Sequence, residues 1–438
     1  MLRTPKRAGL IAVLAIIPLA LAACGGTGGS SNGSSDEGAS GAKTLKLWHY
    51  EGADSAMGKA WDESIRVFEK EHKGVKVKFE RKAFEQIQQT AGMVLSSDQG
   101  PDLLEYNKGN ATAGLLSSQG LLTDLSKVAK DRGWDSKLAP SLQTTARYDK
   151  GVMGSGKWYG IPNYGEFVTV YYNKDMFKAA GLEVPTTLDD MTADMDKFVA
   201  KGVTPLAMSG AEYPAGQLYY ELALSKADRG FVNNYQMYKG KVDFQADPLK
   251  YGADTFAQWV KAGYIAKDSA SLKAEDAGVN FISGKSPMLV SGSWWYGRFV
   301  TDMAKTDWGI FNFPGNKLNA GSSGNLWVVP KNSKAKDLAY DFIDITMRPE
   351  IQAIIGNNGG LPVAANAKDI TDPKSSELIT QFNKLLDNDG LAFYPDWPVP
   401  GYYDVLVSGF QSLINSSTPP AKVLDTIGKA YDDGVANM

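Results

Sequence analysis

The chain has 438 residues, a formal net charge of −3, ten Trp and twenty Tyr, but only two His and one Cys. The weak acidic balance argues against nucleic acid, which calls for a basic stripe. One cysteine excludes internal disulfides and thiolate metal clusters, and two histidines leave nothing for a histidine-rich metal site or a set of imidazole catalysts, so no cofactor or metal is expected.

In chain order, Lys6 and Arg7 precede an apolar run at 10–23, interrupted only by Pro18. It is short for a bilayer span and has the charged front and small-residue end of a secretory signal. Its end, Leu21-Ala22-Ala23-Cys24-Gly25, resembles a bacterial lipoprotein signal, which implies that Cys24 is lipidated and becomes the mature first residue. A plain signal peptide with an incidental Cys and an uncleaved anchor are the alternatives. Residues 25–42 are almost entirely Gly, Ser, Ala, Asn and Thr, a tether with nothing to bury. Within it Gly29-Ser30-Ser31-Asn32-Gly33 matches GxSxG only formally, since no strand precedes it and no helix follows.

The remaining four hundred or so residues suffice for two or three domains. Residues 44–50 (TLKLWHY) read as a strand, and Met57, Trp61, Ile65 and Phe68 recur at helical spacing. A strand at 75–79, a helix at 84–97, a strand at 101–106 (PDLLEY) and a helix near 109–118 follow. His72 falls at a charged helix end, as a solvated side chain. The central stretch 158–177, WYGIPNYGEFVTVYYNKDMF, opens on a turn and runs into a β-branched and aromatic strand at 167–172. Glu166 stands where that apolar run begins, and a carboxylate there is costly unless something satisfies it. The bland alternative is a surface Glu at a strand end.

Further on, helices are expected at 188–200, 216–224, 247–262, 335–347 and 350–355. Strands are expected at 204–209, 287–291, 308–313 and 326–330, and the last hundred residues are mainly helical. This alternation predicts an α/β sheet architecture in two lobes, with ligands meeting the loops beyond the strand ends. Two phosphate-loop near misses, Gly151–Lys157 followed by Trp158, and Gly284-Lys285-Ser286 with its upstream glycine one residue too far, read as ordinary turns.

Aromatic residues gather beside chain-breaking residues: Trp48–Tyr50, Tyr106, Tyr164, Tyr213-Pro214, Trp294–Tyr296 and Phe393–Pro398. A single such ring usually belongs to a core. Several at loop positions near Asn, Asp or Glu suit a sugar, whose C–H faces stack on rings while its hydroxyls demand polar partners.

The lipoprotein start, GPDLLEY, YGIPNYGEFVTVYYNKDMF, FISGKSPMLVSGSWWYGRF, LWVVPKNS, GGLPV and the late aromatic-proline segment, taken as an ordered series from about Leu45 to Tyr431, resemble the sugar-binding branch of extracellular solute-binding proteins, maltose-binding protein being its best-known member. The resemblance implies a two-lobed periplasmic-binding-protein-like α/β fold, hinge segments and an interlobe cleft. The expected division is 1–24 signal, 25–42 tether, 43–163 with 325–370 as the first lobe, and 164–324 with 371–438 as the second. Hinges are expected near 160–166, 322–325 and 367–373, where glycine permits the dihedral change.

The same resemblance implies ligand contacts at Tyr50, Glu51, Tyr106, Glu166, Glu212, Tyr213 and Trp294, with Trp397 or Tyr402 as a late stacking ring. Asn107, Asn110, Tyr164 and Trp295 are included from the same loops, and Asn325 and Asp396 from their settings in a crossover and the late loop. Where a maltose-type site has an Asp-Arg pair, this chain has Gly109-Asn110, which argues against maltose. The function implied is capture of an extracellular oligosaccharide for an ABC permease by a monomer held outside a bacterial cell, of Gram-positive type, through its lipid alone. The sugar is open among xylo-, cello-, malto- and galacto-oligosaccharides. A membrane-tethered glycoside-processing enzyme, needing two carboxylates at the right separation, and a cell-wall adhesion module are the alternatives.

Overall fold

The structure, a computed structural model, describes residues 43–365 and 367–438. Cys24, the signal and the tether expected before them lie outside the described residues. The chain starts with β1 (Thr44–His49), whose Leu45, Leu47 and His49 are buried while the residues between them are not. The helix Ala56–Glu71 follows, capped by Ser55, whose Oγ accepts from the Gly58 N–H. Its buried face, Trp61 and Phe68 included, follows the expected helical spacing. Next come β2 (Lys76–Arg81), the helix Phe84–Leu95 and β3 (Leu103–Tyr106). β2 and β3 flank β1 on either side, both parallel to it.

The regular helix expected near 109–118 is instead a wide π-type turn, Asn110–Gly114, and a short helix, Leu115–Ser118. Close approach explains the glycine there: a side chain on Gly114 would stand 2.1 Å from the Gly151 carbonyl oxygen. The stretch read as a turn at 151–157 lies in a small antiparallel ribbon of β4 (Arg147–Asp149), β5 (Val152–Met153) and β6 (Lys157–Trp158).

After β7 (Ile161–Pro162) the chain passes through Asn163 into β8 (Tyr164–Asn173), in which every residue but Tyr172 is buried. β8 organises a second sheet, with β9 (Leu206–Ala207), β10 (Met288–Gly292) and β11 (Trp308–Phe311). β10 and β11 pair with its later half, and β12 (Gly321–Ser323) pairs with residues 165–167. The chain then returns through Gly324 and Asn325 to β13 (Leu326–Val328), which closes the first sheet in the order β2-β1-β3-β13-β7. Two crossings therefore lie side by side, at Asn163 and at Gly324-Asn325.

A third passage is spread over 358–365 and 367–372. The helix Pro349–Asn357 lies on Ala56–Glu71. β14 (Leu361–Pro362) pairs with the start of β8, yet Val363 and Thr371 donate back to Gln352 Oε1 and Asn357 Oδ1. The helix Pro373–Asp387 then sets Phe382 against Phe167 of β8, ring centroids 5.7 Å apart. The closing helices are Tyr402–Ile414 and Pro420–Ala436. Each sheet has its own aromatic core: Trp61, Trp327 and Phe342 in the first, and Tyr171, Phe299 and Trp308 in the second.

Candidate ligand-binding site

A cavity of about 480 Å³ opens where the two sheets meet, within the range of small-ligand sites. The first sheet contributes residues just past the carboxyl ends of its parallel strands: Tyr50 and Glu51 after β1, Asn107 and Lys108 after β3. Past the strand ends the backbone leaves the ladder and the loops are free to turn side chains and N–H groups toward a ligand, which is where open α/β sheets hold one. The crossings contribute Tyr164, Glu166 and Asn325. The opposite wall carries Glu212, Tyr213, Gln217, Trp294 and Trp295, and the late loop adds Tyr394, Asp396 and Trp397.

Lys108, only 2 % exposed, is the centre of the polar floor. Its Nζ donates to Glu166 Oε1, and to Asn325 Oδ1 at 3.1 Å. Asn325 Nδ2 in turn donates to the Tyr164 hydroxyl at 2.6 Å. That hydroxyl lies 3.4 Å from Glu51 Oε1 and 3.4 Å from Glu105 Oε1, so its single proton can serve either carboxylate. Ser55 Oγ donates to Glu51 Oε2 at 3.2 Å. Residues from β3's loop, both crossings and the loop after β1 are thus joined in one network.

Burial dominates the electrostatics. It raises Glu51, helped by the charge of Glu166, to about 7, and lifts Asp396 to about 6. Glu105, behind the floor, is raised well above its ordinary value by burial and then by Glu51. Glu166 is raised by burial, with Lys108 opposing the shift.

The rings form a second system. Trp294 Nε1 donates to the Tyr213 hydroxyl at 3.1 Å, with their rings 5.6 Å apart and edge-on. Tyr394 lies between Trp294, at 6.3 Å, and Trp397, at 5.0 Å. Two glycines make room for this. A Cβ on Gly292 would stand 2.0 Å from the Trp294 ring, and one on Gly109 would stand 2.6 Å from that of Trp397. Gly109 also has φ +102°, a backbone that other residues rarely adopt. Glu212 Oε2 accepts from the Ala274 N–H, 2.8 Å, at the start of the helix Ala274–Ile282. Glu275 is held by Arg298 at 2.7 Å, whose guanidinium also lies over Trp295.

Residues 51–353 match the family model of bacterial extracellular solute-binding proteins. The chain belongs to this family. Among the relatives of this solute-binding protein is a Mesorhizobium japonicum protein named "Probable sugar-binding periplasmic protein", 27 % identical over 72 % of this chain and 76 % of that one. The Streptococcus pneumoniae "Maltooligosaccharide ABC transporter solute-binding lipoprotein" is 24 % identical over 87 % of this chain and 86 % of its own. A "Diacetylchitobiose binding protein" of Streptomyces coelicolor is 26 % identical over 81 % of both. The solved structure of a chitin oligosaccharide binding protein superposes with a TM-score of 0.77 at 22 % identity, covering 90 % of this chain and 99 % of that one. A raffinose complex gives 0.72 at 19 %, over 89 % and 99 %. These likenesses show the two-lobed α/β fold.

Of the contacts expected for this solute-binding protein, Tyr50, Glu51, Asn107, Tyr164, Glu166, Glu212, Tyr213, Trp294, Trp295, Asn325, Asp396 and Trp397 line the cavity. Tyr106, Asn110 and Tyr402 do not. Tyr106 ends β3, where it is paired with Leu326 and buried. Asn110 spends its amide on the fold, donating to the Gln236 carbonyl at 2.7 Å and accepting from the Met153 N–H at 2.8 Å. Tyr402 starts a helix and packs near Tyr431, 1 % exposed, so Trp397 is the late ring at the cavity. Sequence reasoning missed Lys108, Phe84, Glu85, Gln217, Ala274, Glu275, Tyr394 and Tyr403. Lys108 was detectable in principle, as a cation one residue past a chosen contact at a buried strand end. Tyr394 stands inside the aromatic-proline segment already singled out.

Among the described residues, no cluster of His, Cys, Asp and Glu could hold a metal ion.

Proposed function

We propose that this protein captures an extracellular oligosaccharide between its lobes and presents the closed form to an ABC permease. One observation carries the proposal: ring faces and carboxylates from both sheets converge on a single cavity beside the strand crossings. Hydroxyls of a sugar would satisfy Glu51, Glu166 and Asp396, its C–H faces would lie on Trp294 and Trp397, and contacts to both lobes favour the closed state. The names of the relatives agree with a carbohydrate ligand.

The same reading assigns the lobes as 43–163 with 325–370, and 164–324 with 371–438. It makes Cys24 the lipid attachment point at the outer face of the cell membrane, with the protein acting as a monomer. No helix among the described residues is long and apolar enough to cross a membrane. A binding role agrees with the names of the relatives, and Glu166 is already paired with Lys108, whose ammonium also donates to Asn325.

The test is calorimetry with di- to tetrasaccharides of xylose, glucose and galactose, followed by chromatography of the recovered sugar. The expected result is a micromolar or tighter response from at least one sugar, returned unchanged. Shortened sugars would favour the glycosidase instead, and silence across the panel would exclude oligosaccharides of these three sugars.

A further inference from the structure

The turn that follows β3 meets the late loop across a seam with hydrogen bonds of its own. Asn110, fully buried, donates from Nδ2 to the Gln236 carbonyl at 2.7 Å, and the Ala111 N–H donates to the Trp397 carbonyl at 2.9 Å. Each side of the seam is held within its own part of the molecule. On one side, the Gly109 N–H donates to the Tyr148 hydroxyl at 2.9 Å, and the Met153 N–H donates to Asn110 Oδ1 at 2.8 Å. With its oxygen committed to Met153 of β5, the Asn110 amide presents its NH2 group to the far side. There the helix Arg229–Met237 and the residue after it carry the late loop. Tyr235 donates to the Pro395 carbonyl at 2.7 Å, Gln236 Nε2 to that of Tyr394 at 2.8 Å, and the Tyr238 hydroxyl to that of Pro398. Gln236 and Trp397 therefore move as one body.

We infer that Asn110 and Ala111 are the latch of the closed state, gripping the Gln236 and Trp397 carbonyls when the lobes close and releasing them when they part. This rests on the closure and the lobe division proposed above, which put Asn110 on one lobe and Gln236 and Trp397 on the other. A latch has to be reversible. Once the seam parts, each of these groups meets water, so opening strands no buried donor or acceptor. The position of the seam ties it to binding. Trp397 walls the cavity with its ring while its own carbonyl is gripped, so a sugar stacked on that ring and the latch favour the same state. Asn110 is thus a positioning residue, which acts on affinity without touching the ligand.

The test compares the full chain in detergent with its Asn110→Asp variant. The aspartate keeps an acceptor for the Met153 N–H but turns a carboxylate oxygen toward the Gln236 carbonyl. Affinities and rates are measured for every sugar of the panel above that binds wild type. A shift in the closing equilibrium scales the affinity of all ligands alike. The expected result is a weakening of about tenfold, by the same factor for each sugar, carried by faster dissociation with association unchanged. Amide exchange, read with and without sugar, should show the Ala111 N–H losing protection in the variant while the Met153 N–H keeps it. A loss that differs from sugar to sugar makes Asn110 a ligand contact and overturns the latch, as does unchanged affinity. Silence from every sugar in wild type counts against the oligosaccharide reading instead, and exchange at Ala111 then decides the latch alone, equal protection in the two proteins overturning it. A melting curve checks that the variant is folded. Asn110→Ala, which removes the donor without adding a charge, is held to the same outcomes.

Discussion

Lys108 and Glu166 are the pair on which the cavity floor depends. Both are almost fully buried, and each is the other's only ion-pair partner among the described residues. Lys108→Met should destabilise the protein by about 3–5 kcal/mol in urea unfolding, because a buried carboxylate is stranded. Lys108→Met/Glu166→Gln should recover most of that loss. His49 gives a different signature. Its ring lies 4.1 Å from Phe79, neither nitrogen has a partner, and burial with the charge of Arg81 pushes it down to about 3. Between pH 3 and its ordinary 6.5, the unfolded chain binds a proton that the folded one refuses, so stability falls as pH falls through that window. His49→Phe should remove this term, gaining about 2 kcal/mol on wild type at pH 5 relative to pH 7.5, read from paired melts. Glu51 runs the other way. Its folded pKa is raised from 4.5 to about 7, so its contribution weakens as pH rises across that range. Glu51→Gln should therefore flatten the alkaline side of the stability profile.

β8 carries two jobs along one strand. Its later residues bind β10 and β11 as a sheet core, and its first residues bind the crossing strands β12 and β14. Glu166 falls in the crossing half, which is why a carboxylate survives in so apolar a strand. Glycines let neighbouring elements approach the rings. Gly292→Ala should drive its methyl into the Trp294 ring at the end of β10. The expected outcome is at least about a tenfold loss of sugar affinity, with a change in melting temperature smaller than that of a core truncation. Calorimetry beside a melt separates the two effects. Gly324 sits as tightly under Tyr164, where a Cβ would be 2.2 Å from the ring, so the crossing itself is packed around that side chain.

Across the whole molecule, the floor network joins the first sheet's loops to both adjacent crossings, so a rotation of the lobes has to move Tyr164, Glu166 and Asn325 together. A ligand that contacts both walls would shift the population toward closure. The radius of gyration from small-angle scattering should fall on saturation with a binding sugar. Trp294→Ala should lose that contraction along with affinity, while keeping the unliganded profile. An unchanged radius at saturation would mean that the ligand enters without closure.

Local pattern carried much of this protein. The segment TLKLWHY placed β1, helical spacing placed Ala56–Glu71, and the apolar run ending in Asn173-Lys174-Asp175 placed β8, because these depend on neighbours in sequence. The turn at Asn110–Gly114 escaped it, since what shapes that segment is the approach of Gly151, Gln236 and Trp397, all distant in the chain. The same division runs through the site. Rings beside chain-breaking residues stand out in sequence, since such residues are expected either in a core or at a surface opening, and Tyr213, Trp294 and Trp397 reach the cavity. Tyr402 and Asn110 looked equally suitable, and folding turned them to Tyr431 and Gln236. Lys108 is the converse case. In sequence it is one more lysine, and a lysine is ordinarily solvated. It becomes the centre of the site only because β3, β8 and the Gly324-Asn325 crossing bring Glu166 and Asn325 to its ammonium, and a partner that many residues of chain separate leaves no local trace.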